Sequence, residues 1–246
     1  MLANLAKVSL ALIAICLAPL AFSQSSDELF ELGARAYDAK NYQKAAENFE
    51  QSAYLSGSAA AYHNAANAYL KQNKAGLAML NYERARYINP RSPETNANIA
   101  SLSSQIGARQ RERTLVDSIL GELSNGEWIV LAVSCFWICA ACFAIAPLFI
   151  RGKNRFKLLG YISALGFLLA CAGTIYWSEM RNTAISISQD AVLRLSPAAN
   201  APATAPFPEG RSAIVRREHG DYLLLQSPDK KWGWADKKDV RTLWGD

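Results

Sequence analysis

The stretch Arg151-Gly152-Lys153-Asn154-Arg155-Phe156-Lys157 decides how the chain is read, because it is a short basic island between two apolar runs. Trp128 to Ile150 and Leu158 to Trp177 contain no Asp, Glu, Lys or Arg. Each has about the 20 residues with which an α-helix crosses a hydrocarbon core of roughly 30 Å, so both are predicted to span a membrane. Short cytoplasmic loops collect Lys and Arg, so Arg151, Lys153, Arg155 and Lys157 place residues 151–157 inside and send both flanks outside. Trp128 and the pair Tyr176-Trp177 stand at the outer ends, where amphipathic rings prefer the headgroup level. The competing reading is a buried helix pair in a soluble protein.

Working outward, the spans 128–150 and 158–177 divide the 246 residues into soluble pieces of about 100 and about 70 residues. Much of the +5 formal charge sits in the basic turn, so it is not read as a nucleic-acid signature. Cys16 lies in the N-terminal apolar segment, Cys135, Cys139 and Cys142 in the first span, and Cys171 in the second. Neither soluble piece holds a cysteine, so neither can hold a disulfide.

Residues 1–23 read as a secretory signal. Lys7 supplies the basic start, Val8 to Leu17 the apolar centre, and Ala21-Phe22-Ser23 a small-x-small site before Gln24. Bulky Ile15 before Cys16 argues against a lipoprotein signal, and an uncleaved anchor would leave the downstream topology unchanged.

Residues 24–110 are predicted to form a repeat domain with a capping helix, in which Ser26 to about Pro90 is helical with a period near 33, while Gly107 to Arg113 is charged and solvated. Leu29, Gly33, Ala45 and Phe49 recur as Tyr62, Ala66, Ala78 and Tyr82, each pair 33 apart. Small residues stand where helices cross closely and large ones where they wedge together, which predicts repeated helix pairs. Lys40-Asn41 and Gln72-Asn73 mark the turns within the pairs. Pro93 to Gln105 supplies a capping helix, because a terminal unit needs its apolar face covered. Within the connector 111–127, Leu115, Ile119 and Leu123 recur at helical spacing and predict an amphipathic stretch near the outer membrane surface. In the second span, Gly160 with Ala164 and Gly166 with Ala170 permit close helix contact, within the hairpin or between copies.

Residues 182–246 change to short β-like runs: 184–187, 191–195, 212–216, 222–225, 232–235 and 240–243. Glycine, proline and aspartate turns separate the later ones, and 196–208 reads as an irregular Pro- and Ala-rich loop. A small β-barrel is predicted. The fold class is therefore multidomain: all-α helix-pair repeats, a two-helix transmembrane hairpin and a small all-β barrel.

No phosphate loop, dinucleotide fingerprint, zinc-protease motif or nucleophile elbow is present, and no cofactor is predicted. With only His63 and His219, histidine-based sites have few ways to assemble. Cys135, Cys139 and Cys142 share one helical face, but hydrocarbon opposes thiol ionisation, so small apolar packing residues are the better reading than a redox or metal site.

Tyr62, Ala66, Ala68, Tyr69, Ala78, Tyr82, Ala85 and Pro90 resemble the tetratricopeptide pattern. The first repeat departs from it at Leu29 and Ser52 and lacks the closing proline. That resemblance implies a peptide groove lined by Phe30, Ala34, Tyr37 and Asp38 from the first repeat and His63, Asn67, Leu70 and Lys71 from the second. An ordinary solvated face, or a face used whole for docking, is the alternative. The run Glu209-Gly210, Gly220-Asp221-Tyr222 and Lys231-Trp232-Gly233-Trp234 resembles a bacterial SH3-like domain, with Tyr222 where tryptophan is usual. Tyr222, Trp232 and Trp234 are expected in the barrel core and closing turn, or else on an exposed ligand platform.

The order of signal, repeats, hairpin and barrel resembles the BatE family of the Bacteroides aerotolerance operon. The resemblance implies a non-enzymatic scaffold in the bacterial inner membrane with both domains periplasmic. Its partners would be membrane-anchored von Willebrand factor A proteins and a MoxR-type ATPase. Two further readings remain: a cell-wall sensor binding peptidoglycan peptides through the barrel, and a membrane thiol enzyme centred on Cys139.

Overall fold

The structure, a computed structural model, describes residues 25–107, 114–148 and 153–245. The predicted signal segment and the turn residues Arg151 and Gly152 lie outside them. Helix α1 covers 25–38. It is followed by α2 (Tyr42–Ser56), α3 (Ala59–Lys71), α4 (Ala75–Ile88) and α5 (Pro93–Gln105). The starts are encoded locally: Asn41, Ser58 and Ser92 each accept a hydrogen bond from a backbone N–H of the first turn of α2, α3 and α5. The turns fall where the sequence marks them. Lys40 and Asn73, 33 positions apart, have left-handed φ of 58° and 57°.

Small against large builds the pairs. A Cβ at Gly33 would lie 2.8 Å from the Phe49 ring, so α1 crosses α2 at contact distance. The second pair repeats this with Ala66 and Tyr82, both fully buried.

Next come α6 (Leu115–Leu120), α7 (Asn125–Ile145) with a single 3-10 turn Ala146–Leu148, and α8 (Lys153–Arg181). α7 and α8 run antiparallel, with Phe143 against Gly160 at one end and Trp128 against Gly173 at the other. Both are long and apolar enough to cross a membrane, and only 11% and 22% of their most apolar windows are buried. The boundaries differ from the sequence reading. Lys153 to Lys157 belong to α8 rather than to a loop, and α8 continues past Trp177 to Arg181. No Gly or Pro interrupts Lys153 to Leu159, and Lys, Arg and Leu propagate a helix well. α7 starts three residues before Trp128 because Ser124 and Glu127 form a reciprocal capping box.

The rest is one antiparallel sheet: β1 (Thr183–Ser186), β2 (Val192–Arg194), β3 (Ala203–Pro206), β4 (Ser212–His219), β5 (Tyr222–Gln226), β6 (Trp232–Asp236) and β7 (Val240–Thr242). The strand order is β3-β2-β6-β5-β4-β1-β7. β3 lies inside the stretch expected to be irregular and pairs with β2. Pro206 is compatible with it because β3 is an edge strand. Leu193, Phe207, Leu223, Leu225 and Ala235 fill the sheet's core.

α4 joins the parts. Its Met79 and Leu80 share a buried cluster with Ile185 and Leu243 of the β region. The Gly76 N–H donates to Glu209 Oε1 at 2.7 Å. A Cβ at Gly76 would lie 2.5 Å from the Ser186 carbonyl oxygen, so only glycine allows this approach. At the other end of α4, the Tyr87 ring meets Trp177 of α8 at 5.1 Å, and Arg91 pairs with Glu127 of α7 at 2.6 Å.

Candidate binding site

The residues assigned to a groove on α1 and α3 are largely engaged within the helical layer. Phe30 packs edge-on against Phe49 at 5.3 Å, and Tyr37 against Tyr42 at 5.3 Å. Ala34 joins the same cluster, while Leu70 packs on the α4 core. His63 Nδ1 lies 3.0 Å from Thr95 Oγ1, and Asn67 Oδ1 accepts the Tyr82 hydroxyl at 2.5 Å. Asn98 Nδ2 donates in turn to the Tyr82 oxygen at 3.2 Å. Burial pushes the His63 pKa down, against Glu94, and pushes Tyr82 up to about 12, opposed by the Asn98 hydrogen bond. This network ties α3, α4 and α5 together. Asp38 and Lys71 are exposed, and they sit at the helix ends.

On the sheet, Trp232 and Trp234 alternate with buried Gly233 and Ala235, and Tyr222 precedes buried Leu223. The three rings therefore lie on the outer face of the sheet, and not in its core as the core reading expected. The reason is the register, which makes Leu225 and Leu223 the inward partners of Gly233 and Ala235. Trp232 is 50% exposed. Of the basic residues flanking the turn, Arg155 is exposed and Lys157 half-buried.

An open cleft lies elsewhere, between the first helix pair, α4, the end of α8 and the segment after β7. It is a cleft of about 740 Å³, within the range typical of ligand sites. Leu29, Leu55 and Leu243 give it aliphatic walls, and Tyr54, Tyr62 and Trp244 give it rings. Its floor is a locked ion pair. Glu50 accepts the Tyr69 hydroxyl at 2.9 Å and the Asn81 side-chain N–H at 2.8 Å, and it faces Arg84 at 3.8 Å. Arg84 Nε donates to the Leu243 carbonyl at 2.8 Å, with its guanidinium 5.7 Å from the Tyr62 ring centre and 6.0 Å from that of Trp244. Burial raises the Tyr62 pKa against the lowering effect of Arg84. Arg181 stands exposed on the cleft's lining, close enough to Tyr87 to act on its hydroxyl electrostatically, and its guanidinium makes no hydrogen bond or ion pair among the described residues.

Such a site can bind; its walls are apolar and aromatic, and its half-buried charges Glu50 and Arg84 are already paired with one another. Among the described residues no group of three metal-ligating side chains gathers. The sequence reading missed the cleft because Trp244 and Arg181 reach it from far along the chain. One signal was present: Tyr54 and Tyr87 occupy the same position in the 33-residue period. Compared with known proteins, the chain matches no family model and no curated protein.

Proposed function

We propose that the protein is a non-enzymatic adaptor anchored in the bacterial inner membrane, with its helical and sheet regions in the periplasm. We read the helix pairs as tetratricopeptide repeats and the sheet as an SH3-like barrel. The observation that carries the reading is a bare apolar hairpin joined at one end to a docked head with an open, peptide-sized cleft. Large side chains such as Val130, Trp137, Leu165 and Leu168 are more than half exposed on α7 and α8. Leu115, Val116 and Ile119 of α6 are 83%, 55% and 59% exposed beside that end of the hairpin. The helical layer and the sheet both adjoin the Trp128–Trp177 end, which agrees with the basic residues Arg151, Lys153, Arg155 and Lys157 facing the cytoplasm. On the resemblance to the BatE family, the recruited proteins are von Willebrand factor A partners and a MoxR-type ATPase in a stress or aerotolerance complex.

Reporters active only inside or only outside the cytoplasm, placed after Pro90, Asn154 and Asp246, are expected to read out, in, out. A pull-down from solubilised membranes is expected to recover an envelope protein that depends on the helical layer. Recovery of none would sink the adaptor reading.

A second reading, a cell-wall sensor, is favoured by the outward Trp232 and Trp234. Full-length protein in detergent would then sediment with purified sacculi and lose this on Trp232→Ala. Retention unchanged by the substitution would remove its support.

A further inference from the structure

The repeat period relates the cleft to a surface whose occupant is visible. Leu29, Gln51, Tyr54 and Leu55 of the first repeat correspond to Tyr62, Arg84, Tyr87 and Ile88 of the second, each pair 33 apart. In the second repeat these residues hold a piece of the chain itself, the bend Leu243-Trp244 that follows β7. The Trp244 ring lies 5.6 Å from Tyr62, edge-on, and 5.6 Å from Tyr87, tilted. Ile88 packs in the same cluster as Trp244, and Arg84 fixes the backbone through the Leu243 carbonyl. In the first repeat the matching residues line the cleft, where Tyr54 is 83% and Leu55 37% exposed.

We propose that the cleft is the first-repeat copy of this peptide-holding surface. It takes a short segment of another protein that presents an aliphatic-aromatic pair with an acidic residue beside it. The pair follows from the side chains that the second copy already holds. The acidic residue follows from a change between the copies: Gln51 stands where the second copy has Arg84, Arg84 is already paired with Glu50, and Arg181, beside Tyr87, is the lining cation with no carboxylate of its own among the described residues. A peptide is favoured over a lipid because the surface is continuous with one that grips backbone carbonyls. The inference rests on the adaptor reading and names the chemistry of its partner.

The test uses the full-length chain in lipid nanodiscs and a fluorescein-labelled peptide, Val-Arg-Thr-Leu-Trp-Gly-Asp, which copies the chain's last residues. Binding is expected to weaken about tenfold on Tyr54→Ala and to weaken on Arg181→Glu, since truncating one aromatic anchor commonly removes more than 1 kcal/mol, and 1.4 kcal/mol is tenfold. Arg217→Ala, an exposed position on β4 away from the cleft, is expected to leave it unchanged. With benzophenone in place of the peptide's indole, photo-adducts are expected on residues 29–55. Binding indifferent to Tyr54→Ala, adducts confined to 62–88 through displacement of the tail, adducts to lipid, or no binding would each overturn the assignment. None of these touches the adaptor reading, which stands or falls with the pull-down of an envelope protein.

Discussion

α4 and the hairpin are both rich in apolar side chains, yet the fold treats them oppositely. Met79 and Leu80 of α4 are 3% and 2% exposed, covered by β1 and the segment after β7, whereas Leu165 of α8 is 69% and Val130 of α7 66% exposed. Packing elsewhere in the chain is close enough to require glycine at Gly76. Bare surface on α7 and α8 is therefore selective, as expected where hydrocarbon rather than protein is the neighbour.

The comparison breaks most visibly at the hairpin. Leu165→Arg combined with Leu168→Arg places two charges mid-span, each worth about 2.5–3.5 kcal/mol against insertion. The variant is expected to lose resistance to carbonate extraction. A stable, detergent-free soluble protein would show instead that these faces do not contact lipid.

At α4 the next largest effect comes from Gly76→Val, which drives a side chain into the Ser186 carbonyl and the Glu209 side chain. Overpacking of this kind costs about 1–3 kcal/mol, and here it should also part the sheet from the helices. A lower unfolding midpoint together with faster proteolysis between Arg181 and Thr183 would register both effects. Unchanged proteolysis would mean that the contact yields without separation.

Arg84→Ala removes hydrogen bonds to the Thr242 and Leu243 carbonyls and leaves Glu50 without its cation. About 2 kcal/mol of destabilisation is expected, from charged hydrogen bonds worth roughly 1.5–3 kcal/mol. Arg84→Lys should recover little of it, because a lysine cannot fork to two carbonyls while stacking on Tyr62 and Trp244. Full rescue by lysine, measured by denaturant unfolding, would reduce the role of Arg84 to charge alone.

The smallest effect belongs to Arg91 and Glu127, half-exposed partners that bridge head and hairpin. The hydrogen bond from Arg91, aided by the Ser124 N–H, lowers the Glu127 pKa to about 2. A folded-state pKa below the unfolded value near 4.3 means the contribution is present above that pH and fades as pH falls toward 2. Arg91→Ala should slightly flatten the decline of unfolding midpoint between pH 6 and 3. A decline identical to wild type would show that the pair contributes nothing measurable, as many exposed pairs do.

Local rules made much of the fold legible. The 33-residue period, the turns at Lys40 and Asn73, and the small-large pairs Gly33–Phe49 and Ala66–Tyr82 could all be read from neighbouring residues. So could six of the strands, because alternation and turn residues act over a few positions. β3 was hidden since Ala203 to Pro206 has no strand composition and is ordered only by pairing with β2. The cleft was hidden for a stronger reason: Arg84 and Leu243 meet across a separation of 159 residues, beyond the reach of any periodicity. Trp232 and Trp234 illustrate the limit in between. Their identity was informative, but which face they take depends on register with β5, and a shift of one residue would reverse it.

The close seat of Gly76 under Ser186 and Glu209 also sets a timetable. Glu209 follows Gly76 by 133 residues in the chain, so at ribosomal rates of roughly 5–20 residues per second the cover for α4 arrives about 7–27 s after the helix itself. Both apolar helices emerge within the same interval. A chain halted just after Arg181 would present Met79 and Leu80 without Ile185 and Leu243 over them, a partly uncovered apolar face open to misassociation or chaperone capture.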